Sequence, residues 1–166
     1  ENWEIAVYET ILLKQAEAKG IDVSVVPAEV MQVLTAMTIR EYVIKNGIDI
    51  TPKGELGIEF FLTGEDIEIP FIVTVDPERK LVCIKSPMTY EISKTSVREC
   101  SIAVCEANFG MADGCFEYDA DSGFLEYRTE ISYSRGSVND ELLAYMFNEA
   151  FSIVDKYNDK FLKFGV

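Results

Sequence analysis

Apolar positions along the chain switch between a helical and a two-residue period, and each switch marks an element. Trp3, Val7 and Ile11 recur at helical spacing and predict a helix over 3–19, which Gly20 stops. Residues 21–26 alternate and read as a short strand or an extended link, and Pro27 suits a first helical position. A second helical pattern opens at Ala28, with Val30, Leu34, Met37 and Ile44 apolar. Thr38 and Glu41 match a capping box, which leaves two readings: two helices broken near Met37, or one continuous helix. One long or kinked helix ending at Asn46-Gly47 is favoured.

Alternation then takes over. Leu56, Ile58, Phe60 and Leu62 share one face of a strand over 55–63. Ile67, Ile69, Phe71, Val73 and Val75 share one face of a second over 66–75, and residues 80–86 form a third that Pro87 ends. Thr63-Gly64-Glu65-Asp66 and Asp76-Pro77-Glu78-Arg79 supply the turns. Pro70 lacks the N–H that a ladder uses, so a bulge or a locally unpaired stretch is expected there. Helical spacing returns over 94–109, where Val97, Val104 and Cys105 face inward and Gly110 closes the run. A hairpin follows over 114–119 and 124–133. Leu125, Tyr127, Thr129, Ile131 and Tyr133 take one of its faces, and Glu126, Arg128 and Glu130 the other. Ser137 is placed to cap the last helix. Along that helix Leu143, Phe147, Ala150, Val154, Tyr157, Phe161 and Phe164 form an apolar stripe in alternating steps of four and three, best explained by packing on the chain's own sheet.

The order of elements predicts an α+β fold: a single antiparallel sheet of about five strands, a three-stranded meander plus a hairpin, packed by helices. There is no linker, low-complexity segment or internal repeat. Phe61, Ile72, Leu81 and Cys83 alternate opposite to the main apolar face. A sheet with one wet face carries polar residues there, so a helix or a second subunit is expected to cover them.

Composition narrows the function. The chain has 166 residues, 48% hydrophobic and 27% charged, enough for one well-built core. Its formal net charge of -14 repels phosphate backbones and anionic bilayers, so neither nucleic acid nor membrane is expected as a partner. No apolar run has membrane-spanning length, and Glu1-Asn2-Trp3-Glu4 has no signal-peptide pattern. Cys83, Cys100, Cys105 and Cys115 contain no CxxC spacing, and with no histidine a zinc site would need all four. Buried, reduced thiols are the simpler reading and point to the cytoplasm.

Missing histidine also removes Ser–His and Cys–His catalysis, and no phosphate-binding loop occurs. Asp119, Asp121 and Glu130 stand at positions one, three and twelve of an imaginable calcium loop, but Gly123 falls at position five rather than six. Glu117, Asp119, Glu126 and Glu130 could be drawn as a hydrolytic acid–base or metal cluster. A hairpin corner plus a cross-strand pair between Arg128 and Glu117 accounts for them more simply. No catalytic, cofactor-binding or metal residue is therefore assigned. A metal-assisted hydrolase or small-ligand sensor using the acidic hairpin around Asp119 stands as the alternative.

The run from Asn108 to Thr129 is the most distinctive. It holds Asn108-Phe109-Gly110, Gly114-x-Phe116-Glu117, the acidic turn 119–123 and Tyr127-Arg128-Thr129. With the hairpin over 71–84, turning at Asp76 and Pro77, these residues resemble the YbjN-like family of bacterial proteins, assigned as sensory-transduction regulators. The resemblance divides the chain into an N-terminal helical extension, 1–35, and a YbjN-like domain, 36–166. It implies a fold similar to type III secretion chaperones, α/β adaptors that commonly dimerise and hold partner peptides. It carries no catalytic residues across, so Asn108, Gly110 and Arg128 enter as fold markers. The resulting expectation is a non-enzymatic protein-binding adaptor or chaperone-like regulator of bacterial type. It would act without a cofactor, as a homodimer that holds a protein or peptide partner. Phe61, Ile72, Leu81, Phe147 and Phe161 are the candidate partner-binding residues.

Overall fold

The computed structural model describes residues 11, 14, 18–19, 28–133 and 138–166. The link over 21–26, Pro27, the Ser137 cap and most of the expected helix 3–19 lie outside the described residues. Helix α1 (Ala28–Lys45) is uninterrupted, so the boundary drawn between residues 35 and 36 falls inside it. The Thr35 and Thr38 hydroxyls donate to the Met31 and Leu34 carbonyls at 2.8 and 2.9 Å. Thr38 is thus satisfied inside the helix and caps nothing, which corrects the capping-box reading. Gly47, at φ 77°, takes the left-handed turn that ends the helix. Val30, Val33, Ala36, Ile39 and Val43 are buried, whereas Ile44 is 57% exposed, because one further residue rotates it off the buried side.

The strands form one antiparallel sheet of six, one more than expected, in the order β1-β2-β3-β4-β6-β5. They are β1 (Thr51–Pro52), β2 (Gly57–Thr63), β3 (Glu68–Asp76), β4 (Leu81–Pro87), β5 (Cys115–Asp119) and β6 (Phe124–Ser132). The added strand, β1, is too short to show alternation and exists through its pairing with Ile58 and Glu59. Pro70 pairs with Phe61 and no bulge forms. The β3–β4 ladder ends at Ile72 and Lys85, before it reaches Pro70, so the locally unpaired stretch lies on that side.

A 3₁₀ turn, Lys94–Ser96, leads into α2 (Val97–Asn108). Cys100, Ala103, Val104 and Ala107 form its buried side, and Cys105 is exposed, contrary to its expected inward position. Helix α3 (Asp140–Leu162) opens with the Asn139 side chain accepting from the Leu142 N–H at 2.9 Å. Its stripe packs on the chain's own sheet. The Phe147 ring meets Phe60 at 5.5 Å and Phe71 at 6.3 Å, and Phe161 meets Phe116 at 4.9 Å, all edge to face. Strand register places those partners on one face together with Val73, Ile84 and Tyr127. The core therefore lies between this face and the helices.

Candidate functional site

The acidic hairpin resolves into turn chemistry. Asp119 Oδ1 accepts the Asp121 N–H at 3.0 Å and Oδ2 accepts the Ser122 hydroxyl at 2.6 Å. These bonds, the Ser122 hydroxyl first, hold the exposed Asp119 carboxyl below its usual range. The Lys94 ammonium donates to the Asp121 carbonyl across the same corner. Both carboxylate oxygens are thus committed to folding the chain. Among the described residues no group of three or more His, Cys, Asp or Glu is placed to hold a metal ion. The expected pair forms between Arg128 and Glu117 at 3.2 Å, though diagonally, since Arg128 stands opposite Cys115.

The opposite sheet face carries three of the candidate partner residues. Phe61 is 53% exposed, and Ile72 and Leu81 are half-buried. Cys83 beside them is buried, and that burial, followed by the Glu130 carboxylate, pushes its thiol up to about 11, which keeps it protonated and unreactive near neutrality. Ion pairs border this apolar strip: Lys53–Glu59 at 3.0 Å and Lys85–Glu126 at 2.7 Å. Across β6, Arg128 and Arg79 both approach Glu130 at 3.9 Å. The face is a mixed one, with an apolar centre and a charged border.

Phe147 and Phe161 belong elsewhere. Phe161 is 0% exposed among Phe116, Tyr157 and the sheet, so it is core and offers a partner no surface. Phe147 is also buried, but it forms the wall of a cleft of about 360 Å³. The cleft lies between the end of α1, strand β2 and α3. Tyr42, Val43, Asn46 and Ile48 line one side, Phe60, Leu62 and Thr63 the second, and Phe147, Asn148 and Phe151 the third. Tyr42 stacks on Phe147 with ring centroids 5.9 Å apart. Mostly apolar walls with a few amide and hydroxyl groups suit apolar side chains or a small ligand. Sequence reasoning missed Tyr42, Asn46, Asn148 and Phe151. Their helical spacing puts each pair on one helix face, but nothing in that spacing says which two faces meet.

The chain is similar to YbjN from E. coli, at 11% identity and TM-score 0.56, over 77% of this chain and 94% of that one. It is similar to a chain of the ExsC–ExsE complex, at 12% identity and TM-score 0.55, over 77% and 96%. It is likewise similar to a chain of the HopA1–SchA chaperone–effector complex, at 10% identity and TM-score 0.54, over 80% and 95%. The fold is that of YbjN and of type III secretion chaperones. No protein-family model and no curated protein matches the sequence. Identities this low establish the fold and leave function to be argued from the surfaces. No helix among the described residues is long and apolar enough to cross a membrane.

Proposed function

We propose that this protein is a non-enzymatic, chaperone-like adaptor that works as a homodimer and holds a protein or peptide partner. The observation that carries the reading is the exposed Phe61 ring diagonal to Ile72 on the outer sheet face, from which Cys83 and Leu81 continue the apolar strip along β4, within a fold shared with chaperones of protein complexes. Apolar side chains grouped on a wet sheet face gain by being covered, and a self-complementary twofold contact is the commonest way to cover them. The bordering ion pairs supply both signs of charge, which lets such a contact form despite the net charge of -14. Four free cysteines, two of them buried, suit the reducing cytoplasm as its place of action. Asp119 is spent on the turn and Glu117, Glu126 and Glu130 on ion pairs, which leaves the hydrolase and sensor alternatives at that hairpin without a supporting observation.

Sedimentation at micromolar concentration tests the reading. The expected result is the mass of two copies for the unaltered chain and of one copy for Phe61→Glu with Ile72→Glu, with circular dichroism unchanged. A single-copy mass for the unaltered chain would remove the dimer, and the same mass before and after substitution would remove this face as its contact.

A further inference from the structure

The cleft beside Phe147 has a charge setting that selects its occupant. Asp49 follows the lining residue Ile48, Glu65 and Asp66 follow the lining residue Thr63, and Asp155 lies one turn beyond the lining residue Phe151. The Asp155 carboxylate accepts the Glu65 N–H at 2.9 Å and so ties the β2–β3 turn to α3 at the rim. Among the described residues none of these four acids has an ion-pair partner, and Asp49, Glu65 and Asp66 are exposed. Three lysines are already engaged in ion pairs, Lys45 with Asp140, Lys53 with Glu59, and Lys14 with Glu41 at 2.7 Å, and Lys156, next to Asp155, stands 5.5 Å over the Tyr157 ring. An apolar, aromatic-walled hollow is thus edged by uncompensated negative charge. Tyr42 already shows that its ring accepts a cation, since the Lys45 ammonium stands 5.7 Å over its centroid.

We propose that the cleft docks an extended, cationic peptide segment of the partner, with one or two bulky apolar side chains in the hollow and Lys or Arg at the rim. This rests on the adaptor reading above and names the chemistry of what is held. A volume of about 360 Å³ takes apolar side chains rather than a folded element. A long basic side chain on either flank then reaches Asp49 on one side and the Glu65-Asp66 turn on the other. An acidic segment would be repelled by the same groups, so the rim excludes wrong partners as well as attracting right ones. Attraction between solvent-exposed charges is screened by salt, whereas burial of the apolar anchors is not, so the two contributions separate experimentally.

The test uses random peptides of about ten residues displayed on phage. They are selected on the full chain and counter-selected on Asn148→Trp, a substitution at an exposed lining position that fills the hollow. Thr63→Trp fills it from the opposite wall and guards against one variant failing to fold. The expected peptides pair bulky apolar residues with Lys or Arg. Their affinity should fall several-fold both as salt is raised and in the triple variant Asp49→Asn, Glu65→Gln, Asp66→Asn. Peptides that need the open cleft but are acidic, or that bind the triple variant equally well, would overturn the charge selection while leaving the cleft as a partner site. Failure to recover any peptide that tells the chain from both cleft-filled variants would overturn the docking proposal. A two-copy mass in the sedimentation test would leave the dimeric reading standing in either case.

Discussion

The carboxamide of Asn108, at the end of α2, grips the backbone of Phe116 on β5 at two points. Its Nδ2 donates to the Phe116 carbonyl at 2.9 Å, and its Oδ1 accepts the Phe116 N–H at 2.8 Å. Strand β5 is the last in the sheet, so these backbone groups have no neighbouring strand to pair with. A side-chain amide, with one donor and one acceptor side by side, stands in for that strand. Asn108 thereby closes a sheet edge that would otherwise invite pairing with another chain. Asn108→Ala should cost about 1–3 kcal/mol, because both Phe116 groups lose their partner. Asn108→Asp keeps the acceptor and loses the donor, so it should fall between Ala and the unaltered chain. Urea denaturation measures both, and light scattering should show Asn108→Ala associating more readily at high concentration.

The five candidate partner residues divide by burial, and that division predicts opposite effects. Phe161→Ala empties a fully enclosed site beside Phe116 and should destabilise the fold by about 3–5 kcal/mol. Phe61→Ala removes a ring that is already half in water and should change stability by only about 0.5 kcal/mol while weakening self-association. Thermal melting together with sedimentation separates them. A large loss of stability in Phe61→Ala would mean that the ring serves the fold.

Gly114 immediately precedes β5 at φ 69°, where a side chain is strained, and a Cβ there would collide with the Tyr127 hydroxyl and lie 2.6 Å from the Arg128 carbonyl. The Tyr127 hydroxyl already donates to the Asp113 carbonyl at 2.9 Å, so it cannot move aside freely. Gly114→Ala should therefore cost more than the about 1–2 kcal/mol of the left-handed conformation alone. Gly110→Ala, with φ 79° but open space around its Cβ, should cost only that conformational part. Paired melting curves check the difference.

Stability should be flat through neutral pH and fall on the alkaline side. With no histidine, no side chain is set to titrate between the carboxylates and the thiols. Burial raises the Tyr127 hydroxyl from 10.0 to about 12, and burial followed by the Glu130 carboxylate raises the Cys83 thiol from 9.0 to about 11. Tyr90 shifts in the same direction through burial. Each folded value lies above its unfolded one, so the stabilisation is complete below the unfolded value and is lost as pH rises through the folded value. The decline should start near pH 9 with Cys83 and run to about 12 with Tyr127. Phenolate absorbance followed with pH should show a late fraction that ionises together with unfolding. Smooth titration of all tyrosines near their ordinary value would contradict this.

The periodicity of the chain by itself determined helices α1 to α3 and the five longer strands, because alternation and helical spacing record which side of each element faces the core. It also determined the turns, where the Asp76 and Asp119 carboxylates bond the backbone just ahead of them, Pro77 fixes its own φ, and Gly123 takes a φ of 82°. The missing histidine ruled out whole classes of chemistry before any coordinate was known. Tertiary structure decided what depends on residues far apart. It placed β6 between β4 and β5, and it formed β1, whose two residues become a strand only by pairing with β2. It turned Cys105 and Ile44 outward and closed Phe161 in, distinctions of a single residue's rotation that spacing leaves open. It created the cleft, which exists because Tyr42, Phe60 and Phe147, from three separate elements, converge. It gave Asn108 its task, since an amide can close a sheet edge only where folding delivers that edge to it. A local pattern encodes the faces of elements; which faces meet, and what they leave open, is settled by packing.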